Sequence, residues 1–243
     1  MKALLSFFTI LPVRGATLEQ AAREVHLLPL VGIVTGLPGA VLLLSASFVP
    51  PGVAATLALG AVLVAAGLHH ADGVLDVGDA LMVRGNPERR RAVLKDARVG
   101  IGGIGGLFLV YAPTVAALAA LCAASPARSA LVLLAGEVAA RSAMVLTLAY
   151  GNPADAGSSA IPFVRALSGP RHAIGVALAL LAPLPLLFPI GNLAPLAVLA
   201  APLVALISLR ISGSAFDGIG GDVVGAAGET CRAAVLLAIS ATM

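Results

Sequence analysis

The chemistry-bearing residues of this 243-residue chain gather in one stretch. Residues 69–100, HHADGVLDVGDALMVRGNPERRRAVLKDARVG, hold five of its twelve acidic side chains and six of its fifteen basic ones. Asp72, Asp76 and Asp79 fall within an arc of about 60° on a helix advancing roughly 100° per residue. Like charges at i, i+4 destabilise a helix, so carboxylates spaced this way ask for a counter-charge. Hard divalent cations take oxygen ligands, and Mg²⁺ is typically held by one or two carboxylates together with substrate phosphates. The spacing points to Asp72, Asp76 and Asp79 as Mg²⁺ ligands and catalytic acids. His70, two residues before the first of them, is a further catalytic candidate.

A second helix restarts after this stretch. Asn86 is a good N-cap, Pro87 suits the first helical position, and Glu88 complements the helix dipole. Arg91, Lys95 and Arg98 then follow at i, i+4, i+7, predicting a basic stripe that binds phosphate. Carboxylates for a metal opposite cations for phosphate are the parts that stabilise a phosphoryl-type transition state. The plainer alternative is a solvated loop whose charges neutralise one another. Against it stand the segregation of acids from bases and the presence of Gly73 and Gly78, poor choices for a purely structural helix.

A second polar island, SAFDGIGGDVVGAAGE, spans residues 214–229. Its glycines would let backbone N–H groups approach an anion, making Gly218, Gly221 and Gly225 candidate substrate contacts. Asp217, Asp222 and Glu229 add acid, with Asp222 a catalytic candidate and Glu229 a substrate contact. Within an apolar run, Glu137 and Arg141 stand at i, i+4. An intramembrane pair marks function or a helix–helix lock, and Arg141 is placed toward the charged end, where it could reach a phosphate. Residues 100–105 spell G-x-G-x-x-G. They follow a charged helix rather than a strand, which argues against a dinucleotide site.

The elements that position these residues belong to a membrane. The chain is 59% hydrophobic and 11% charged, with a mean hydropathy of +1.03, which excludes an ordinary soluble domain. Several apolar runs are long enough to cross a ~30 Å hydrocarbon core, and no alternating strand pattern occurs. The expected fold is therefore an all-α polytopic bundle of about six to seven spans, a single integral-membrane domain over residues 1–243. The spans are expected at 27–48, 53–71, 99–123, 129–150, 173–189, 193–213 and 229–243, with 1–13 interfacial or re-entrant. Basic residues, among them Lys2, Arg14 and Arg23, concentrate in alternate connections. This places segments 69–100 and 214–229 on the cytoplasmic face of the cell membrane.

Several classes are disfavoured. The basic pI of about 9.3 is an orientation signal, since no Trp and two Tyr give no platform for nucleic acid. Cys122 and Cys231 lie far apart in apolar runs, as inert thiols do. No repeat relates the two halves, against an ion-coupled transporter. Gly32 with Gly36, and Gly102 with Gly106, predict close helix approaches. A homo-oligomer is compatible with such small-residue helix faces.

Three motifs in order carry a resemblance: H-x-D-G-x-x-D-x-x-D-x-L (His70–Leu81), K-D-x-R-V-G-x-x-G (Lys95–Gly103) and G-D-x-x-G-A-x-x-E (Gly221–Glu229). With FFTILPV at 7–13 and LPLVGIVTG at 28–36, the chain resembles the cobalamin synthase family, the membrane-bound adenosylcobinamide-GDP ribazoletransferases. The resemblance implies transfer of the cobinamide-phosphate group of adenosylcobinamide-GDP to α-ribazole or its 5′-phosphate. GMP leaves and Mg²⁺ is required. It also implies that Lys95, Asp96 and Arg98 contact substrate. A CDP-alcohol phosphotransferase would show D-G-x-x-A-R, but Asp76 stands where that pattern has Ala.

Overall fold

Proline writes many of the helix starts in this chain. It lacks an N–H and suits the first turn, where that donor has no helical partner, and Pro51, Pro87, Pro126 and Pro170 each open a helix. The computed structural model describes residues 1–13 and 15–242. Arg14, counted among the N-terminal basic residues, and Met243, at the end of the last expected span, lie outside the described residues. Among those residues, the helices are α1 (Lys2–Phe8), α2 (Leu18–Arg23), α3 (Leu28–Leu44), α4 (Pro51–Ala65), α5 (His69–Met82), α6 (Pro87–Leu94) and α7 (Ile101–Ala124). They continue as α8 (Pro126–Tyr150), α9 (Ile161–Ala166), α10 (Pro170–Leu181), α11 (Leu184–Leu187), α12 (Ala200–Phe216) and α13 (Gly221–Ser240). The sole β-feature among the described residues is an isolated bridge between Pro153 and Ile219.

Six stretches are long and apolar enough to cross a bilayer: Val25–Ser47, α7, α8, Pro170–Ile190, Ala194–Phe216 and α13. The protein is thus a multi-pass helical bundle. α8 is its axis, with 89% of its apolar window buried against 28% for α7. Lipid-facing rings and branches remain on the outside, among them Phe108 and Leu109. α3 meets α8 through small residues. A Cβ at Gly32 would stand 2.5 Å from Glu137 O, and one at Gly36 3.1 Å from Glu137 Cγ. The expected close approach is present, and it brings α3 onto the most charged turn of α8.

Three boundaries differ from expectation, each for a local reason. The second apolar run ends at Ala65 rather than 71, because Gly67 (φ 73°) and Leu68 (φ 62°) turn through the left-handed region. α5 leaves that turn at 96° to α4, so the aspartate helix lies across the end of the bundle. α6 stops at Leu94, with Lys95 as its C-cap, and the expected basic stripe is therefore not a helical face. The last span begins at Gly221, and the glycine island is mostly helical. Its glycines are contact points: a Cβ at Gly225 would lie 3.1 Å from His70 Cα, and one at Gly228 3.0 Å from Met144 Cγ. Tight packing there offsets the ~1 kcal/mol that glycine costs in a helix.

Candidate active site

Glycines on two faces of α5 fix where its acids go. Toward α7, a Cβ at Gly78 would come within 2.7 Å of Gly102 O. Toward α13, a Cβ at Gly73 would come within 2.6 Å of Asp222 O. α5 is thereby held between the starts of α7 and α13, and Asp222 joins the acids of α5.

The three aspartates of α5 then part company. Asp79 accepts hydrogen bonds from Gly100 N (2.7 Å) and Gly103 N (2.8 Å), one at each carboxylate oxygen. It caps the positive N-terminus of α7 from a neighbouring helix. This is what the G-x-G-x-x-G stretch does here: its bare backbone receives Asp79 and admits α5. Asp72, Asp76 and Asp222 have no hydrogen-bond donor or ion-pair partner among the described residues. Partial burial, then the carboxylates of Asp72, Asp222 and Asp79, push Asp76 up from the usual aspartate range to about 6. The site carries more negative charge than its protein neighbours neutralise.

Asp72 and Asp222 both line a cavity of about 470 Å³ together with His70 and Phe163. His70 is buried, stacks on Phe8 with ring centroids 6.1 Å apart, and leaves its Nδ1 without a partner. Two grooves adjoin this cavity. One shares Ser159, Gly221 and Asp222 with it and adds Arg91 and Lys95. The other shares Asp72 and adds Asp76, Lys95 and Arg98.

The cations are differently engaged. Arg91 donates to Asp217 Oδ2 (2.6 Å) and Phe216 O (2.9 Å), tying α6 to the end of α12. Lys95 reaches Asp155 Oδ2 at 3.1 Å and holds that carboxyl below its usual range. Asp96 is held low by hydrogen bonds from Arg98, whose side chain is 89% exposed. These surface pairs are cheap to break, so Lys95 and Arg98 can exchange a carboxylate for a phosphate.

Two expected substrate contacts lie elsewhere. Arg141 is fully buried in α8, 3.4 Å from Glu137 and 3.3 Å from Thr35 Oγ1. Glu229 is buried in α13, paired with Arg232 and accepting from Tyr111 OH at 3.0 Å. Arg232 also reaches Glu137 Oε1 at 2.8 Å. Neither Arg141 nor Glu229 reaches the cavities, because their charges are consumed inside the bundle. Gly218 and Gly221 are close-approach points against the connection after α8. A Cβ at Gly218 would meet Asn152 O at 2.5 Å, and one at Gly221 would meet Ser159 Oγ at 2.6 Å.

That connection, residues 151–160, is the part of the site that sequence reasoning passed over. Ile219 N–H donates to Asn152 O (2.8 Å), and Ser158 Oγ donates to Ile219 O (3.0 Å). The polar run DAGSS at 155–159 was the available signal. For a cation, the donors at hand are the carboxylates of Asp72, Asp76 and Asp222. Among the described residues no three His, Cys, Asp or Glu side chains already converge to enclose an ion. The expected Asp72, Asp76 and Asp79 trio does not close as a cage, since Asp79 is turned to α7.

The fold and site define a multi-pass membrane protein with an acid cluster flanked by cationic side chains. Residues 1–240 match the model of the family described as cobalamin-5-phosphate synthase, and the chain belongs to that family. It is 34% identical to a Methanocella arvoryzae protein over all of this chain and 96% of the relative. It is 37% identical to one from Pyrobaculum calidifontis (98% and 97% covered) and 33% to one from Pyrococcus abyssi (99% and 97%). All three relatives are named adenosylcobinamide-GDP ribazoletransferase. No solved structure matches the chain.

Proposed function

We propose that this chain transfers the cobinamide-phosphate group of adenosylcobinamide-GDP to α-ribazole or its 5′-phosphate and releases GMP. The family match and full-length relatives of that name support the reaction. The observation that carries the site is the meeting of Asp72, Asp76 and Asp222 where a cavity without a lining lysine or arginine adjoins grooves lined by Arg91, Lys95 and Arg98.

In this reading a ribose hydroxyl oxygen bonds to the phosphorus attached to cobinamide, and the P–O bond to GMP breaks. Lys95 and Arg98 bind the diphosphate, and His70, with its free Nδ1, accepts the hydroxyl proton. Asp72 and Asp76, with Asp222, are the groups that would hold Mg²⁺. Their donor set fits, being all oxygen and short of positive charge, and two carboxylates plus substrate phosphates suffice for this ion. Bound there, Mg²⁺ supplies charge neutralisation to the departing phosphate. The excess of basic residues at this end of the bundle supports its facing the cytoplasm.

The test is GMP release by the purified protein in detergent. It should require adenosylcobinamide-GDP, α-ribazole and Mg²⁺ together. GMP release that does not depend on α-ribazole, or none at all, overturns the reading.

A further inference from the structure

The reaction needs two substrates at one acid cluster, and the chemistry of the walls sorts them. The 470 Å³ cavity has two unlike ends. One is polar, with Asp72 and Asp222. The other is aromatic, where Phe7, Phe8 and Phe163 form a closed triangle. Their ring centroids are 5.0 Å apart for Phe7–Phe8, 5.6 Å for Phe7–Phe163 and 5.9 Å for Phe8–Phe163. His70 extends this surface by stacking on Phe8, with 27° between the rings. Among the described residues, no Lys or Arg lines the cavity, while each adjoining groove has two cationic side chains among its aspartates.

We infer that the aromatic end is the subsite for the base of the acceptor nucleoside, the flat fused-ring base of ribazole. This rests on the proposed reaction. The size agrees, since pockets of ~300–1,000 Å³ suit nucleoside-sized ligands. A corrin macrocycle with its side chains does not enter such a space. Charge excludes the GDP part from it, because a diphosphate would face Asp72 and Asp222 with no lining cation, whereas the neighbouring grooves offer Lys95 and Arg98. A neutral aromatic base meets no such penalty, and base–aromatic stacking is a general source of affinity. The buried, unpartnered Nδ1 of His70 gives an independent sign of a missing ligand, as a buried polar atom is normally satisfied. With the base among the phenylalanines, the ribose lies toward Asp72 and Asp222, where the grooves holding the diphosphate meet the cavity. Phe7 and Phe8 come from α1, so the N-terminal helix contributes a wall of the acceptor site.

Phe7→Leu, Phe8→Leu and Phe163→Leu keep apolar volume and remove the ring. Each should raise KM for α-ribazole by roughly tenfold while KM for adenosylcobinamide-GDP stays within about twofold. Phe7 is 45% exposed, so its replacement leaves the core intact even if Phe8→Leu fails to fold. A shift in the corrinoid KM instead, or no shift in either, overturns the assignment. Binding of α-ribazole, followed by its own fluorescence in a chain without tryptophan, separates this from failure of the reaction. If the protein binds α-ribazole, Phe7→Leu weakens it, and no GMP forms, the subsite stands and the reaction falls. If α-ribazole does not bind, the subsite falls.

Discussion

Two sets of acids in this protein invite comparison. Glu137 and Glu229 sit inside the bundle, each answered by a buried arginine: Glu137 by Arg141 and Arg232, Glu229 by Arg232. Asp72, Asp76 and Asp222 sit at its polar end with no partner among the described residues, and Asp76 is raised to about 6. The interior set joins α3, α7, α8 and α13 through Thr35, Tyr111 and the Glu137–Arg232 ion pair. Charge that is answered holds helices together. Charge that is left unanswered is available to a ligand.

The interior set should break hardest. Removing one member of a buried pair costs about 3–5 kcal/mol, because the partner charge is left unpaired. Glu137→Gln should lower the melting temperature in detergent or prevent expression. A Glu137→Gln protein with normal melting would place the pair on the functional side of the comparison instead.

At the polar end the effect should appear in turnover. Asp72→Asn and Asp222→Asn keep shape and remove a charge from the reacting centre, and each should cost about a hundredfold or more in GMP release. Melting should hold or rise slightly as repulsion is relieved. Near-normal turnover in both would return these residues to a solvated-loop role.

Asp79 sharpens the line between the sets, since it shares a helix with one and behaves like the other. Asp79→Asn should cost about 1 kcal/mol of stability, as losing a helix cap does, and leave the Mg²⁺ concentration for half-maximal rate unchanged. A large rise in that concentration would make Asp79 a metal ligand. The smallest effect is expected at Arg98, whose pair with Asp96 is exposed and screened by solvent. Arg98→Ala should leave melting unchanged and raise KM for the GDP-linked substrate several-fold.

Much of this was legible in the residues themselves. Hydropathy located the spans, and the alternation of basic connections anticipated which segments share an end. The aspartate periodicity located the acid helix. What it could not separate was Asp79 from Asp72, since the difference lies in two backbone N–H groups more than twenty residues away. Glycine misled in the last island, because its turn preference and its use in tight helix contacts look the same in one chain. Arg232 was hidden for the same reason as Asp79. Its partner Glu137 is 95 positions distant, and nothing local announces the pair. The i, i+4, i+7 pattern from Arg91 to Arg98 was real as spacing, but the helix ended at Leu94 before it became a face.

The seating of Asp79 on the first turn of α7 ties the polar end to the lipid. α7 is a 24-residue span whose tilt responds to hydrophobic mismatch, and its N-terminus carries α5 with it through Gly100 and Gly103. Asp76 and Asp72 lie on α5 with Asp79, about one and two turns earlier. Bilayer thickness becomes an input to the geometry of the acid cluster. Reconstituted into vesicles of phosphatidylcholines with progressively longer acyl chains, the protein should show a turnover optimum at one thickness. Asp79→Asn should flatten that dependence.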